Sequence, residues 1–299
     1  MSVRSIAAAF ALLAGCATAP APLADAAIGQ RAWAAACADA DEWDKPGPPF
    51  RIRGNTYYVG TCGITAMLVT GPRGHTLIDS GTDKGAEVVL ANIRALGFDP
   101  GDVKYLLMSH EHFDHVGGIA RVQAATGATI VTSAAAAKVL RSGEVDPNDP
   151  QSRSNHPPFP PATGRIIELG VDGARMPQDL AARPIFTPGH TLGALSWTWQ
   201  ACDEGDCKTI VYADSLNPIS SEGYRYRDHP ELVKGFRGGI DAVSSAPCDI
   251  VLAPHPVAAA MRARLLGDKP LVDPGGCRAY AAAASERLDK RLAQEAAGG

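Results

Sequence analysis

The segment His110-Glu111-His112-Phe113-Asp114-His115 gathers three imidazoles and a flanked carboxylate into six residues. Imidazole nitrogens and carboxylate oxygens are the donors that zinc takes at about 2.0 to 2.2 Å. On an extended stretch, residues two apart point to the same side, so His110 and His112 can share one ion while Asp114 and His115 face another. The segment follows the apolar run Val103 to Met108, which reads as a buried strand. Four donors therefore sit where a strand ends and a helix begins, a common address for a site in a sheet protein. The bland alternative is a solvated histidine-rich loop.

A metal that keeps an open position for water needs about three protein ligands, so each ion requires further donors. His190 in Thr187-Pro188-Gly189-His190-Thr191 and His255 in Ala253-Pro254-His255-Pro256 each lie just past a strand-like run. Either histidine alone would more often be a surface or packing residue. Beside the first cluster they complete two sets of three. A donor set of five nitrogens and one oxygen suits Zn²⁺ better than Mg²⁺ or Ca²⁺. Zinc lowers the pKa of water bound to it to about 7, which supplies a nucleophile at neutral pH without a serine, and no Ser-x-x-Lys motif is present.

The elements that must position these residues alternate between strand and helix. Short β-rich runs at Tyr57 to Val59, Ala66 to Thr70 and Thr76 to Ile78 are separated by Gly, Asn and Pro, which predicts a meander. Apolar residues at helical spacing from Lys84 to Leu96 predict a helix stopped by Gly97. Past the cluster, helices over Ile119 to Ala125 and Ala134 to Leu140 flank a strand at Thr129 to Thr132. Six prolines between Asp146 and Thr163 force a long loop. The second half repeats the logic with strands at Ile185 to Thr187, Leu195 to Gln200, Thr209 to Tyr212 and Ile250 to Leu252. A helix from about Glu231 to Ser245 and a charged amphipathic helix at the end accompany them. The class is α/β.

The chain has 299 residues, 45% of them hydrophobic and 20% charged. That balance argues against disorder and against a membrane bundle. A net charge of -4 with no Lys/Arg-rich block gives no electrostatic reason for a nucleic-acid partner. Arg4 followed by the apolar stretch Ser5 to Ala14, too short to span a bilayer, predicts an export peptide over residues 1–16. Leu13-Ala14-Gly15-Cys16 resembles a bacterial lipobox, which predicts lipidation of Cys16 and action in the periplasm, soluble or lipid-anchored. The competing reading is cleavage after Ala17-Thr18-Ala19 with Cys16 discarded. Palmitate labelling that disappears in Cys16→Ser marks the first; labelling that is absent or persists contradicts it. An Ala/Pro-rich linker over residues 17–30 and one domain over 31–299 are expected to follow.

Of 7 cysteines, Cys16 belongs to the leader, leaving Cys37, Cys62, Cys202, Cys207, Cys248 and Cys277. An even set in an exported chain fits disulfides, and Cys202 and Cys207 bracket a turn that reads as a clamped hairpin. Free buried thiols are the alternative; a zinc-thiolate site is disfavoured because no Cys-x-x-Cys occurs. His75, His156 and His229 lack ligand neighbours, and Trp33, Trp197 and Trp199 read as packing residues. Asp79, ending a strand, is expected to order the metal loop by hydrogen bonds. Trp43 and Phe159 either line a substrate groove or simply pack.

In this order and strand context, His110, His112, Asp114, His115, His190 and His255 resemble the metallo-β-lactamase superfamily, most of all its subclass B3. The similarity runs from about Trp43 to the terminal helix. Tyr212-Ala213-Asp214-Ser215-Leu216, the strand and His-Pro at Asp249 to Pro256, the pair Cys248 and Cys277, and the terminal helix all support it. The resemblance implies an αββα four-layer sandwich, two β-sheets flanked by helices. It implies one zinc on His110, His112 and His190 and a second on Asp114, His115 and His255. It further implies a monomeric β-lactamase that opens the lactam amide of penicillins, cephalosporins and carbapenems by attack of a metal-bound hydroxide, conferring antibiotic resistance. Asp114 and Ser215 would be catalytic, and Ser215 and Asn217 would contact the small-molecule substrate, although close relatives often carry serine at the position of Asn217. Asp214 is either a structural carboxylate or a seventh, bridging ligand, as in thioesterase and lactonase relatives. A thioester or lactone hydrolase of the same fold is thus the alternative. A non-enzymatic zinc lipoprotein is disfavoured because closed structural sites need four protein ligands per ion.

Overall fold

A computed structural model describes residues 23–38, 42–171 and 173–297. The expected export peptide, the lipidation site Cys16 and the start of the linker lie outside the described residues. Helix α1 (Leu23–Ala36) precedes an antiparallel meander of β1 (Phe50–Arg53), β2 (Thr56–Tyr58), β3 (Met67–Val69) and β4 (His75–Ile78). Then come α2 (Asp83–Ala95), β5 (Val103–Leu107), α3 (Phe113–Val116), α4 (Ile119–Thr126), β6 (Thr129–Ser133), α5 (Ala134–Ser142) and β7 (Ile166–Leu169). Strands β5, β6 and β7 add in parallel to β4, giving a seven-stranded sheet ordered β1 to β7.

The second sheet is built from β8 (Arg183–Phe186), β9 (Leu195–Asp203), β10 (Asp206–Tyr212) and, after α6 (Pro230–Ser245), β11 (Ile250–Leu252). Its order is β11-β10-β9-β8, antiparallel except for the β10–β11 pair. Helices α7 (Met261–Leu266) and α8 (Gly276–Ala297) close the chain. Among the described residues, no helix is long and apolar enough to cross a membrane.

Side-chain alternation assigns each strand to two cores at once. In β5, Tyr105 and Leu107 join a core between the sheets, while Leu106 joins a core with Ala86, Val89 and Ile93 of α2 and Val122 of α4. In β10, Ile210 and Tyr212 face the other sheet, and Val211 faces Phe236 and Ile240 of α6 and Ala281 and Leu288 of α8. Both sheets are thus buried on both faces, which is why strands such as Val103 to Met108 read as nearly unbroken apolar runs. The layers are helix, sheet, sheet, helix, as the resemblance implies. Trp197, fully buried between the sheets, donates its indole N–H to Met108 O at 2.8 Å and so ties β9 to the loop just before the cluster.

Two expectations need correction. Residues from Leu23 onward, expected as the second half of an Ala/Pro-rich linker, are helical. Alanine repetition looks like low complexity, yet alanine is the strongest helix former, and Trp33 anchors the helix by packing its ring against Phe50 and Tyr58. Strands β1 and β7 also escaped the sequence reading. Phe50-Arg51-Ile52-Arg53 alternates correctly but carries two arginines, and Arg51 is buried against Asp203 in an ion pair.

The six cysteines stand as three pairs at disulfide distance: Cys37 with Cys62, Cys202 with Cys207, and Cys248 with Cys277. Cys202 and Cys207 face each other across the β9–β10 hairpin, whose turn places Glu204 (φ 47°) and Gly205 (φ 90°) in the left-handed region. Such a turn matches the twist of the strands it joins. The first pair joins α1 to the meander, and the third joins the start of β11 to α8.

Candidate metal centre

Four loops, each leaving the C-terminal end of a strand, converge on one spot: His110 to His115 after β5, His190 after β8, Asp214 to Asn217 after β10, and His255 after β11. Backbone bonds lock these loops together, with Leu195 N–H donating to Ser109 O at 2.7 Å and Ala213 N–H to Leu252 O at 2.8 Å. Buried Glu111 accepts from the Thr191 hydroxyl at 2.6 Å and from Gly193 N–H at 2.8 Å, so it holds the His190 turn onto the cluster. Burial pushes the Glu111 carboxyl up, and the Thr191 bond pulls it partly back. Gly189 has φ 154°, and a Cβ there would overlap the Phe236 ring, so the turn that presents His190 requires glycine.

The donor atoms cluster as two ions would need. One atom each from His110, His112 and His190 lie within 4.8 Å of one another, and so do those of His110, Asp114 and His115. Asp114 Oδ2 is 3.1 Å from His115 Nε2 and 3.3 Å from His255 Nε2, and those two nitrogens are 3.3 Å apart. Asp114, His115 and His255 therefore converge on the second position.

The remaining ring nitrogens face outward onto fixed partners. His110 Nδ1 lies 2.8 Å from Asp214 Oδ1, His112 Nε2 3.1 Å from Asp149 Oδ1, His190 Nδ1 2.8 Å from Asn217 O, and His115 Nδ1 3.5 Å from Asp79 Oδ2. For His110, His112 and His190 the hydrogen bond selects one tautomer and leaves the other nitrogen's lone pair for the centre, as metal-ligating histidines require, whereas His115 Nδ1 has only the longer charge contact with Asp79. Asp79, at φ 63°, accepts from Ser109 N–H at 2.6 Å, Ser109 Oγ at 2.8 Å and Tyr212 OH at 2.6 Å.

Electrostatics favour a cation here. Burial and the neighbouring imidazoles hold His110 well below the usual range, and burial with His112 lowers His190 to about 3, so both rings are neutral ligands. Burial opposes protonation of His115 as well, but Asp114 and Asp79 outweigh it and push the ring up to about 10. Burial also works against the Asp114 carboxylate, yet His115 beside it keeps the group well below the usual carboxylate range. In the metal-free protein a proton thus occupies the place that the donor set offers to an ion. Neutral His110 and His190, a retained Asp114 carboxylate, and outward nitrogens of His110, His112 and His190 that already have partners fit zinc.

A groove of about 450 Å³ opens over this cluster. Ser215 and Asn217 border it, and so does Trp43. Phe159 does not: its ring is buried in the core beneath the first sheet and lines a neighbouring, mostly apolar cavity that meets the site at Glu111, His112 and His156. That corrects its expected place in the groove. The reason is local, since Phe159 N–H and Ala162 N–H bond back to Gly143 and Leu140, folding this end of the proline-rich loop onto α5.

The family profile described as metallo-beta-lactamase superfamily matches residues 59–203. Among solved structures, the MIM-2 metallo-β-lactamase is 51% identical with a TM-score of 0.84, over 90% of this chain and 98% of that one. MIM-1 from Novosphingobium pentaromativorans is 48% identical with a TM-score of 0.83, over 90% and 99%. This chain belongs to the metallo-β-lactamase superfamily. Within it the likeness is to subclass B3, as MEM-A1, a subclass B3 metallo-β-lactamase from a soil metagenome library, is 41% identical over 86% of this chain and 100% of that one, with a TM-score of 0.79. The chain is a metal-dependent hydrolase.

Curated relatives of this superfamily member match over shorter stretches. The N-acyl homoserine lactonase AttM of Azorhizobium caulinodans is 40% identical over 85 residues, which are 21% of this chain and 32% of that protein. A hydroxyacylglutathione hydrolase of Rhodospirillum rubrum is 34% identical over 113 residues, 38% and 34% of the two chains. The match spans about a third of each relative's length.

Three residues of the site escaped sequence reasoning. Asp149 holds His112 from within the proline-rich loop and also accepts Gln151 N–H at 2.7 Å. The Asp-Pro-Gln string signals an Asx turn, but nothing local says which histidine the turn meets. His156, read as having no ligand neighbours, stacks at 6.0 Å from the His112 ring and 6.3 Å from Trp43. Glu111 lies inside the cluster and was legible only as a spacer.

Proposed function

We propose that this protein is a zinc-dependent β-lactamase that hydrolyses the lactam amide of penicillins, cephalosporins and carbapenems, binding two zinc ions per chain and conferring resistance to these antibiotics. The observation that carries the reading is the placement of Asp214. Its Oδ1 pairs with His110 Nδ1, on the side of the ring away from the centre, and burial pushes its carboxyl well above the usual range. That placement supports a positioning role toward His110 over a bridging ligand, and with it the β-lactamase reading over the lactonase and thioesterase one. Likeness to MIM-2 over 98% of that chain supports it further.

His110, His112 and His190 would hold one zinc, and Asp114, His115 and His255 the other. Bound zinc supplies a Lewis acid and a water of lowered pKa, near 7. The chain's own groups do the rest. Asp114, kept ionised by His115 beside it, would help hold the second zinc and orient the attacking water. Ser215 and Asn217, together after β10, offer donors to the substrate along the groove wall, and Trp43, Ile219 and Val257 shield its mouth from water. The apolar stretch before Cys16 supports export, and the protein is read as a periplasmic monomer.

The lactone or thioester alternative rests on the curated relatives. It is tested by comparing kcat/KM for a penicillin, a cephalosporin and a carbapenem with those for an acyl homoserine lactone and an acylglutathione thioester. Turnover of the β-lactams far above the other two is expected; the reverse order would promote the alternative. Asp214→Asn provides a second test. Loss of a carboxylate behind a ligand weakens metal affinity or activity about 10- to 100-fold, so Asp214→Asn should retain two zinc ions at saturating metal. Zinc content that stays at one per chain under saturation would identify Asp214 as a ligand itself.

A further inference from the structure

The groove over the metal centre is lined by histidines, the Asp114 carboxylate, hydroxyl and amide groups and apolar side chains, and by one permanently cationic side chain among the described residues, Arg287. It comes from α8, not from any of the four loops that build the centre. Arg287 and Tyr280 are seven residues apart, two turns along one helix face, and both reach the loop after β10. Tyr280 OH donates to Asp214 O at 2.8 Å, and one Arg287 Nη donates to Leu216 O at 3.1 Å. That single bond fixes the guanidinium beside Ser215 and Asn217, the residues flanking Asp214 and Leu216 on the groove wall. The residue is exposed, and among the described residues it makes no ion pair with any carboxylate. By contrast, Arg237 of α6 and Arg291 of α8 are paired with Asp289 and Glu295.

A guanidinium has five donors in a planar fork suited to two carboxylate oxygens. One donor here is spent on Leu216 O, no carboxylate takes up the others among the described residues, and the side chain lines the groove. We propose that Arg287 is the binding residue for an anionic carboxylate of the substrate, with Ser215 and Asn217 offering neutral donors to the same group. This rests on the β-lactamase reading, since penicillins, cephalosporins and carbapenems carry a carboxylate next to the lactam nitrogen, and it narrows the substrate class to acids over their esters.

The test compares a cephalosporin with its methyl ester in the zinc-loaded full chain and in Arg287→Ala, Arg287→Gln and Arg287→Lys. Gln keeps an N–H donor for Leu216 O but has no charge, which separates binding of the substrate from tethering of the loop. Losing one charge-assisted contact at a partly exposed site is expected to raise KM for the acid roughly five- to tenfold. The same loss should appear in Ala and Gln, with partial recovery in Lys, kcat within about twofold, ester kinetics unchanged and zinc content at the wild-type level. Equal losses for acid and ester, or full rescue by Gln, would overturn the inference and leave Arg287 a loop tether, while the β-lactamase reading stands. Wild-type protein that opens neither compound overturns the reading and the inference with it.

Discussion

Replacing His110 by alanine is expected to lower kcat/KM for a cephalosporin on the order of a thousandfold or more, and zinc content from about two ions per chain to about one. The ring is buried at the junction of the two donor clusters, 4.6 Å between ring centroids from His190 and 4.2 Å from His115, and its Nδ1 is fixed by Asp214. Its removal strips one of three ligands from the first position and leaves Asp214 a buried carboxyl with no partner on that side. His255→Ala should act differently in detail. His255 lies at the groove edge and is partly exposed, so its loss empties the second position while the first, with His110, His112 and His190 intact, keeps its ion. Elemental analysis alongside kinetics separates the two. Both variants retaining two ions and wild-type rates would contradict the ligand assignment.

The second large effect is on stability. Asp79→Ala removes a carboxylate that accepts from Ser109 N–H, Ser109 Oγ and Tyr212 OH, all of them buried. Each buried donor left without a partner costs about 1 to 3 kcal/mol. With the Ser109 N–H and hydroxyl losing this acceptor and Tyr212 OH falling back on Thr65 O at 3.3 Å, a loss of roughly 4 kcal/mol is expected, partly offset if water enters the space. In a chain of this size that corresponds to a fall in Tm of about 10 °C, read by calorimetry or circular dichroism. Asp79→Asn should fall between, because its amide oxygen still accepts one of the bonds. Left-handed backbone at this position is tolerated by Asp and Asn but not by larger or branched residues. Thermal midpoints within 2 °C of wild type for both variants would show that Asp79 does not hold the Ser109 and Tyr212 groups together.

How far the chain could be read without a structure differed between ligands and their supports. The six donors were legible because metal chemistry restricts both residue type and position. Histidines and a carboxylate have few reasons to cluster at strand ends, and strand ends are marked by apolar runs such as Val103 to Met108. The αββα layers followed from the resemblance, and the two-sided burial of β5 and β10 gives their physical cause. What holds the ligands was largely hidden. Asp149 meets His112 across 37 residues, Glu111 meets Gly193 across 82, and Trp197 meets Met108 across 89. Nothing in local periodicity encodes such distant pairings. Asp79 was anticipated because it ends a strand directly before a tight turn. Phe159 was misplaced because an aromatic residue in a proline-rich loop looks the same in sequence whether the loop folds outward to a groove or back onto α5.

The central claim, that this superfamily member opens β-lactam rings by means of the metal its histidines hold, is tested most directly by following a chromogenic cephalosporin with purified protein before and after a chelator, and again after zinc is returned. The account predicts turnover that falls to background when metal is stripped and returns with zinc. No turnover by the zinc-loaded protein, or turnover that the chelator leaves untouched after metal removal is verified by elemental analysis, would contradict it.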